Sequence, residues 1–242
     1  MSDSRSLPPS GIDAVLFDLD GTLVDTEPAW VACEQALVGA HGGTWTDADS
    51  RALVGNALMV SAGYIAAVGG VPLPPEEIVE RLLDGVEASM RERIPWKPGA
   101  RELLAELVLA GVPTALVTMS YRRLVEAVLA GLPAGSFGAV VTGDEVREGK
   151  PHPEPYLRAA AQLGVDPRRC VALEDSPTGV ASAEAAGCVT VVVAGVVAVP
   201  PAPGRIGVSS LVGLTLGDLE RIVRQSKGGD GSPAVHPPSS GR

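Results

Sequence analysis

The sequence predicts an α/β protein: a parallel sheet covered by helices on both faces and interrupted once by a small all-helical unit. Three observations carry this. Short β-branched runs recur and alternate with helical patterns, the order that builds βαβ units. The stretch 26–93 breaks the alternation and contains no clear strand. Gly111, Gly131, Gly164 and Gly187 each fall just past a helical pattern, where a helix ends most easily.

Ala14–Phe17 is an apolar run of strand length that stops at Asp18, and Asp20 follows on an Asp-Gly turn. From Thr26 to Arg93 the pattern is helical, broken by His41-Gly42-Gly43, Gly69-Gly70 and Val71-Pro72-Leu73-Pro74-Pro75. Glu76 to Arg91 reads as a helix of mixed charge, and the chain returns to the sheet near Pro95-Trp96-Lys97-Pro98-Gly99. Beyond it, strands are predicted over Thr114–Val117, Ala139–Val141, Cys170–Leu173 and Val189–Val193. Between them, helices are predicted over Ala100–Ala110, Arg122–Ala130, Pro155–Leu163 and Thr178–Ala186. Residues 11–25 and 94–225 thus make a discontinuous sheet domain, with residues 26–93 as a helical insert. Residues 1–10 and the Gly-, Ser- and Pro-rich tail 226–242 have the composition of disordered chain.

The 242 residues suit one large domain, or a core with a small second unit. A net charge of −10 argues against nucleic-acid binding, which rests on clustered Lys and Arg. Cys33, Cys170 and Cys188 show neither metal-ligand spacing nor a disulfide framework, and the last two sit in apolar runs as core residues do. The first ten residues lack the basic and apolar pattern of a signal peptide. The longest apolar run, Cys188–Val199, is far short of the ~20 residues that span a bilayer. The expectation is a cytoplasmic protein without membrane partners. His41, His152 and His236 carry no chemistry that the pattern requires.

Ligands of open α/β sheets bind beyond the carboxyl ends of the strands. Four signatures fall at such ends: Asp18 and Asp20; Thr118, in Leu116-Val117-Thr118-Met119-Ser120; Lys150, in Gly149-Lys150-Pro151-His152-Pro153; and Glu174-Asp175, in Leu173-Glu174-Asp175-Ser176-Pro177. Each alone has a plainer reading: a helix cap for Thr118 and Ser120, a solvated loop lysine, an acidic turn before a helix. Their coincidence at successive strand ends assembles four carboxylates, a hydroxyl and an ammonium at one sheet edge. Lysine is scarce, with only Lys97, Lys150 and Lys227, which makes the placement of Lys150 more telling. Carboxylates crowded together do not all stay ionised without a cation, and Mg²⁺ suits an all-oxygen site. A cation, a lysine and a hydroxyl around one point suit a phosphoryl group, and a carboxylate can serve as its nucleophile.

In this order the motifs resemble those of the haloacid dehalogenase-like superfamily of phosphohydrolases. The resemblance covers nearly the whole chain apart from the tail. Phe17-Asp18-Leu19-Asp20-Gly21-Thr22-Leu23-Val24-Asp25-Thr26-Glu27-Pro28 is similar to the subgroup of β-phosphoglucomutase and small sugar-phosphate phosphatases. It implies a Rossmann-like core with a helical cap after the first motif. It also implies that Asp18 attacks phosphorus and binds Mg²⁺, and that Asp20 acts as acid and then base, with its backbone carbonyl on the metal. Thr118 and the Met119 amide would hold phosphate oxygens, Lys150 would hold Asp18 and the transferring group, and Asp175 would ligate Mg²⁺. Glu174 would be a further ligand or an outer partner. An acid at Asp20 favours phosphate esters over the dehalogenase and phosphonate chemistries of the superfamily.

The implied substrate is a small phosphorylated metabolite, hydrolysed by a Mg²⁺-dependent phosphatase. Two alternatives stay open: a mutase of the β-phosphoglucomutase type, and a non-catalytic phosphosugar sensor. The mutase pattern has a histidine where this chain has Trp30, and an arginine where Val54–Ser61 is almost apolar; Arg51 lies one helical turn earlier. Intact Asp18 and Asp20 weigh against a sensor. Trp30, Trp45 and Tyr64 are expected to pack the cap core, with pocket and interface roles as alternatives. The expected state is a monomer, with a homodimer as the alternative.

Overall fold

The computed structural model describes residues 11–227. The expectations of disorder at 1–10 and 228–242 lie outside the described residues. β1 (Ala14–Phe17) leads into four consecutive helices, α1 (Glu27–Ala40), α2 (Asp47–Leu53), α3 (Leu58–Val68) and α4 (Pro75–Glu92). Then follow α5 (Ala100–Leu109), β2 (Thr114–Val117), α6 (Arg122–Leu129), β3 (Ala139–Val141) and α7 (Glu154–Leu163). A 3₁₀ turn precedes β4 (Cys170–Glu174), and α8 (Pro177–Ala185), β5 (Val189–Val193), β6 (Arg205–Val208) and α9 (Leu216–Lys227) complete the chain. Helix α9 runs through Ser226, so the expected tail begins inside it.

All pairings in the six-stranded sheet are parallel, in the order β3-β2-β1-β4-β5-β6. The order reverses at β1, which opens a crevice beyond its carboxyl end. Register levels the strand ends: Phe17 pairs with Leu116 on one side and with Leu173 on the other. The residues that follow, Asp18, Val117 and Glu174, therefore emerge at one height.

Strand β1 is buried on both faces, which is why it reads as a continuous apolar run rather than an alternation. Val15, Phe17, Leu116, Val171 and Leu173 point to one face, against Leu103 and Leu107 of α5 and Leu219 and Val223 of α9. Ala14, Leu16, Ala115, Val117 and Ala172 point to the other, against Tyr156 and Ala159 of α7 and Ala183 of α8. The second face is alanine-rich, and small side chains there let α7 lie close to the sheet.

Helix α4 buries Ile78, Val79, Leu82, Leu83, Val86 and Met90, a stripe at helical spacing that packs on α1 and α3. Across its outer side it meets α6, where Arg123 pairs with Glu80, Asp84 and Glu87 at 2.8, 2.6 and 2.6 Å. The chain leaves and re-enters the sheet unit at adjoining points. Val24 bridges Trp96 in antiparallel fashion, Asp25 N–H donates to the Pro95 carbonyl (2.7 Å), and Lys97 N–H donates to that of Leu23 (3.0 Å).

Strand β6 has no counterpart among the expected strands. It is a short edge strand, only partly buried, with Gly207 inside it and Pro203-Gly204 before it, so neither alternation nor an apolar run marks it. Of the four predicted helix-ending glycines, Gly111, Gly164 and Gly187 take positive φ. Gly131 does not; a Cβ there would come within 2.7 Å of Ile94, so close packing is its reason.

The alanine-rich face makes a specific expectation. Ala172→Leu should overpack the sheet against α7 and lower stability by about 1–3 kcal/mol, seen as a lower urea midpoint at unchanged slope.

Candidate active site

Lys150 is the centre of the site. Its side chain is buried, and Nζ donates to Asp18 Oδ1 at 2.6 Å, Glu174 Oε1 at 2.5 Å and the Val117 carbonyl at 3.0 Å. The solvated-loop reading of this lysine is thereby excluded. Glu174 is wholly buried; its Oε1 also accepts from Tyr156 Oη at 2.6 Å and its Oε2 from Ser176 Oγ at 3.3 Å. Ser176 caps α8 at the same time, accepting from Gly179 N–H.

Asp18, Glu174 and Asp175 each offer a carboxylate oxygen within 4.8 Å of the others, all three buried. One ammonium does not neutralise three carboxylates. Burial, then the Glu174 charge, pushes the Asp18 carboxyl well up, against the pull of Lys150. Burial and Glu174 likewise push Asp175 up to about 8. Burial alone would lower Lys150, but the Asp18 and Glu174 charges outweigh it and the ammonium is held. Asp175 Oδ1 is buried without a hydrogen-bond partner. An orphaned carboxylate oxygen beside two more carboxylates fits a small divalent cation with oxygen ligands. Gly21 makes the approach feasible: it takes φ +86°, and a Cβ there would lie 2.0 Å from Asp175 Oδ2.

Asp20 is not part of that carboxylate group. Its Oδ1 accepts from Thr26 Oγ1 (2.6 Å) and Trp30 Nε1 (3.2 Å) at the start of α1. Its Oδ2 accepts from Thr118 Oγ1 (3.1 Å) and Ser120 Oγ (2.8 Å) beyond β2. The Asp20 side chain thus joins the helical insertion to the sheet. Ser120 does not cap α6, whose N-cap is Tyr121; its N–H donates to Thr118 Oγ1 and its hydroxyl serves Asp20. Trp30 packs against the hydrophobic core and also lines the cleft, and its indole N–H is donor only. Trp45 and Tyr64 do pack together, edge to face at 5.9 Å. Met119 lies beside Asp18 in the cleft wall, where its Sδ accepts the Lys150 N–H.

A narrow cleft, open at its mouth, runs from Asp18, Asp20 and Lys150 to α1, α2 and α3, with Glu27, Glu34, Ser50, Asn56 and Ser61 also lining it. Arg51 is exposed and does not line it. The imidazoles of His41 and His152 take part in local hydrogen bonds, and His236 lies outside the described residues. Thr26, Ser120 and Tyr156 are functional neighbours that the motifs did not single out. Thr26 and Ser120 sit inside the quoted segments, whereas the role of Tyr156 arises only from how α7 packs.

The haloacid dehalogenase-like hydrolase family profile matches residues 12–187, from the strand that carries Asp18 to the end of the helix after Asp175. The chain belongs to this family. It is 36% identical over 230 residues to hexitol phosphatase A of Escherichia coli K12, covering 89% of this chain and 95% of that one. It is 32% identical over 227 residues to hexitol phosphatase B of the same strain, covering 87% and 98%. Among solved structures, CbbY from Rhodobacter sphaeroides in complex with xylulose-1,5-bisphosphate aligns with a TM-score of 0.78 at 31% identity, over 86% of this chain and 99% of that one. No helix among the described residues is long and apolar enough to cross a membrane.

Two measurements follow from this geometry. Lys150→Met removes the ammonium between two buried carboxylates and should lower stability by about 3–5 kcal/mol in urea denaturation. The folded Asp175 carboxyl near 8 lies above its ordinary 3.8, so the stability of its neutral form is full below about pH 4 and lost as pH rises through 8. A divalent cation favours the charged form. Added Mg²⁺ should therefore raise Tm more at pH 8 than at pH 5, and Asp175→Asn should diminish that difference.

Proposed function

We propose that the protein is a Mg²⁺-dependent phosphatase of a small phosphomonoester, a sugar or sugar-alcohol phosphate, acting through an aspartyl-phosphate on Asp18. The observation that carries this reading is the pairing of a buried, lysine-held Asp18 with an Asp20 whose carboxylate is aimed by four donors into the same cleft. The names of the hexitol phosphatases support the substrate class.

Asp18 attacks phosphorus through one carboxylate oxygen while Asp20 gives its proton to the departing alcohol oxygen. The alcohol leaves and water enters. Asp20, now a carboxylate, takes a proton from that water as its oxygen attacks the phosphoryl group, which restores the Asp18 carboxylate and releases phosphate. Thr118 and the Met119 amide would hold phosphoryl oxygens, the Thr118 hydroxyl turning from Asp20 to the phosphoryl group when substrate binds, while Ser120 keeps Asp20 aimed. Lys150 keeps Asp18 oriented and offsets negative charge as the phosphoryl group transfers. Asp18 and Asp175 would hold Mg²⁺, with the Asp20 carbonyl and Glu174 as further contributors. Bound there, the cation supplies charge neutralisation for the phosphoryl oxygens. Thr26 and Trp30 tie Asp20 to the helical insertion 26–93, so the acid is fully aligned only when this cap lies against the sheet unit.

Three free cysteines accord with a reducing, cytoplasmic setting.

Phosphate release from a sugar-phosphate panel with Mg²⁺ tests the reading. Asp18→Asn should cut turnover by at least about 10³-fold with an unchanged circular dichroism spectrum. EDTA should remove activity and Mg²⁺ restore it. Full activity of the variant, or turnover that resists chelation, would refute the mechanism.

A further inference from the structure

Glu34 is a buried carboxylate in the cleft wall that the proposed chemistry does not use. It is 5% exposed and has no cationic partner among the described residues. Its Oε2 accepts from Ser50 Oγ at 2.6 Å and from Trp45 Nε1 at 3.1 Å. Trp45 Nε1 also donates to Ser50 Oγ, at 3.0 Å. Trp45 is braced edge-to-face by Tyr64, whose hydroxyl reaches Asp49 in the capping box of α2. The carboxylate is therefore aimed by a supported frame, while its Oε1 accepts no hydrogen bond among the described residues. Burying an ionisable group without a counter-charge is unfavourable, and nothing in the packing requires one here.

The charges of the cleft sharpen the point. Glu27, half-buried on the same helix, lines it too. Lys150 is the only basic residue among those lining the cleft, and its three donors are engaged by Asp18, Glu174 and the Val117 carbonyl. Burial pushes both carboxyls up, and with the Glu34 charge beside it Glu27 reaches about 7, so a second phosphate or carboxylate on the substrate would add to a repulsion already present and find no free cation. Hydroxyl groups, by contrast, donate well to carboxylates.

We propose that Glu34, assisted by Glu27, is the specificity-determining group of this phosphatase: it receives hydroxyl protons from a neutral, polyhydroxylated leaving group, and the two carboxylates together reject phosphomonoesters that carry a second anion. This rests on the phosphatase reading and narrows its substrate class. Ser50 and Ser61 complete a wall suited to a polyol or sugar rather than to a bisphosphate. Glu34 is a binding residue, separate from the group transfer at Asp18.

The test measures kcat and KM with Mg²⁺ for four substrates: a hexitol monophosphate, phenyl phosphate without aliphatic hydroxyls, phosphoglycolate, and a sugar bisphosphate. The wild type should favour the hexitol phosphate by at least roughly tenfold over phenyl phosphate, and by more over the two dianionic-plus substrates. Glu34→Gln keeps an oxygen for Trp45 and Ser50. It should reduce the hexitol-to-phenyl ratio of kcat/KM toward one, mainly through KM. Glu27→Gln, at a half-buried position that tolerates change more readily, should raise the relative rate on phosphoglycolate. A folded Glu34→Gln enzyme with an unchanged ratio overturns the proposal. So does a wild type that prefers phosphoglycolate or the bisphosphate. Should Glu34→Gln fail to fold, a Glu27→Gln enzyme with both ratios unmoved also overturns it. If the wild type releases phosphate from none of the four, the phosphatase reading itself fails, an outcome distinct from altered preference among working substrates.

Discussion

An excess of buried negative charge around one ammonium organises this molecule. Asp18, Glu174 and Asp175 meet where β1 and β4 end, and Lys150 arrives from the loop after β3 to hold two of them. Parallel register makes the meeting unavoidable, because strands paired through Phe17, Leu116 and Leu173 end together. The alanine-rich face of the sheet serves the same end, since it lets α7 come near enough for Tyr156 to reach Glu174. Close packing and charge balance are thus one constraint. The raised carboxyls of Asp18 and Asp175 record a deficit of positive charge that a divalent cation would correct.

Asp20 carries the second constraint, which is alignment rather than charge. Two of its four donors come from the approach to α1 and from α1 itself, and two from the loop beyond β2. No single element orients it. A carboxylate whose orientation depends on both sides of a cleft senses whether that cleft is closed. Trp30 contributes with an indole N–H, a donor that cannot exchange protons with the acid it holds.

The central strands and the chemistry were legible because they obey local rules. A buried parallel strand has no polar face, so β1, β2 and β4 stand out as apolar runs, each followed by a residue of the candidate site. Strand β6 was hidden because it is a glycine-containing edge strand whose identity comes from pairing with β5. The carboxylate set at the strand ends was visible as a pattern, but the separation of Asp20 from it was not; that follows from side-chain direction, which spacing does not encode. Glu34 gave no signal either. It is one charged residue on a helix without a sharp apolar stripe, and its burial depends on Trp45 and Ser50, which approach from beyond the next turn. Tyr156 is similar, its partner lying eighteen residues away on another element.

The adjoining exit and entry of the chain at Val24-Asp25 and Pro95-Trp96 has a consequence for how such a protein changes over time. Four helices enter and leave the sheet unit at one place and are otherwise tied to it mainly by Arg123 and Asp20, so much of their length and composition can drift without disturbing strand register. Inheritance is then split into two compartments. The residues around phosphorus answer to the sheet and tolerate little variation, while the wall facing the rest of the substrate answers mainly to the packing of the four helices. New substrate preferences can arise in the second compartment while the first goes on catalysing the same reaction.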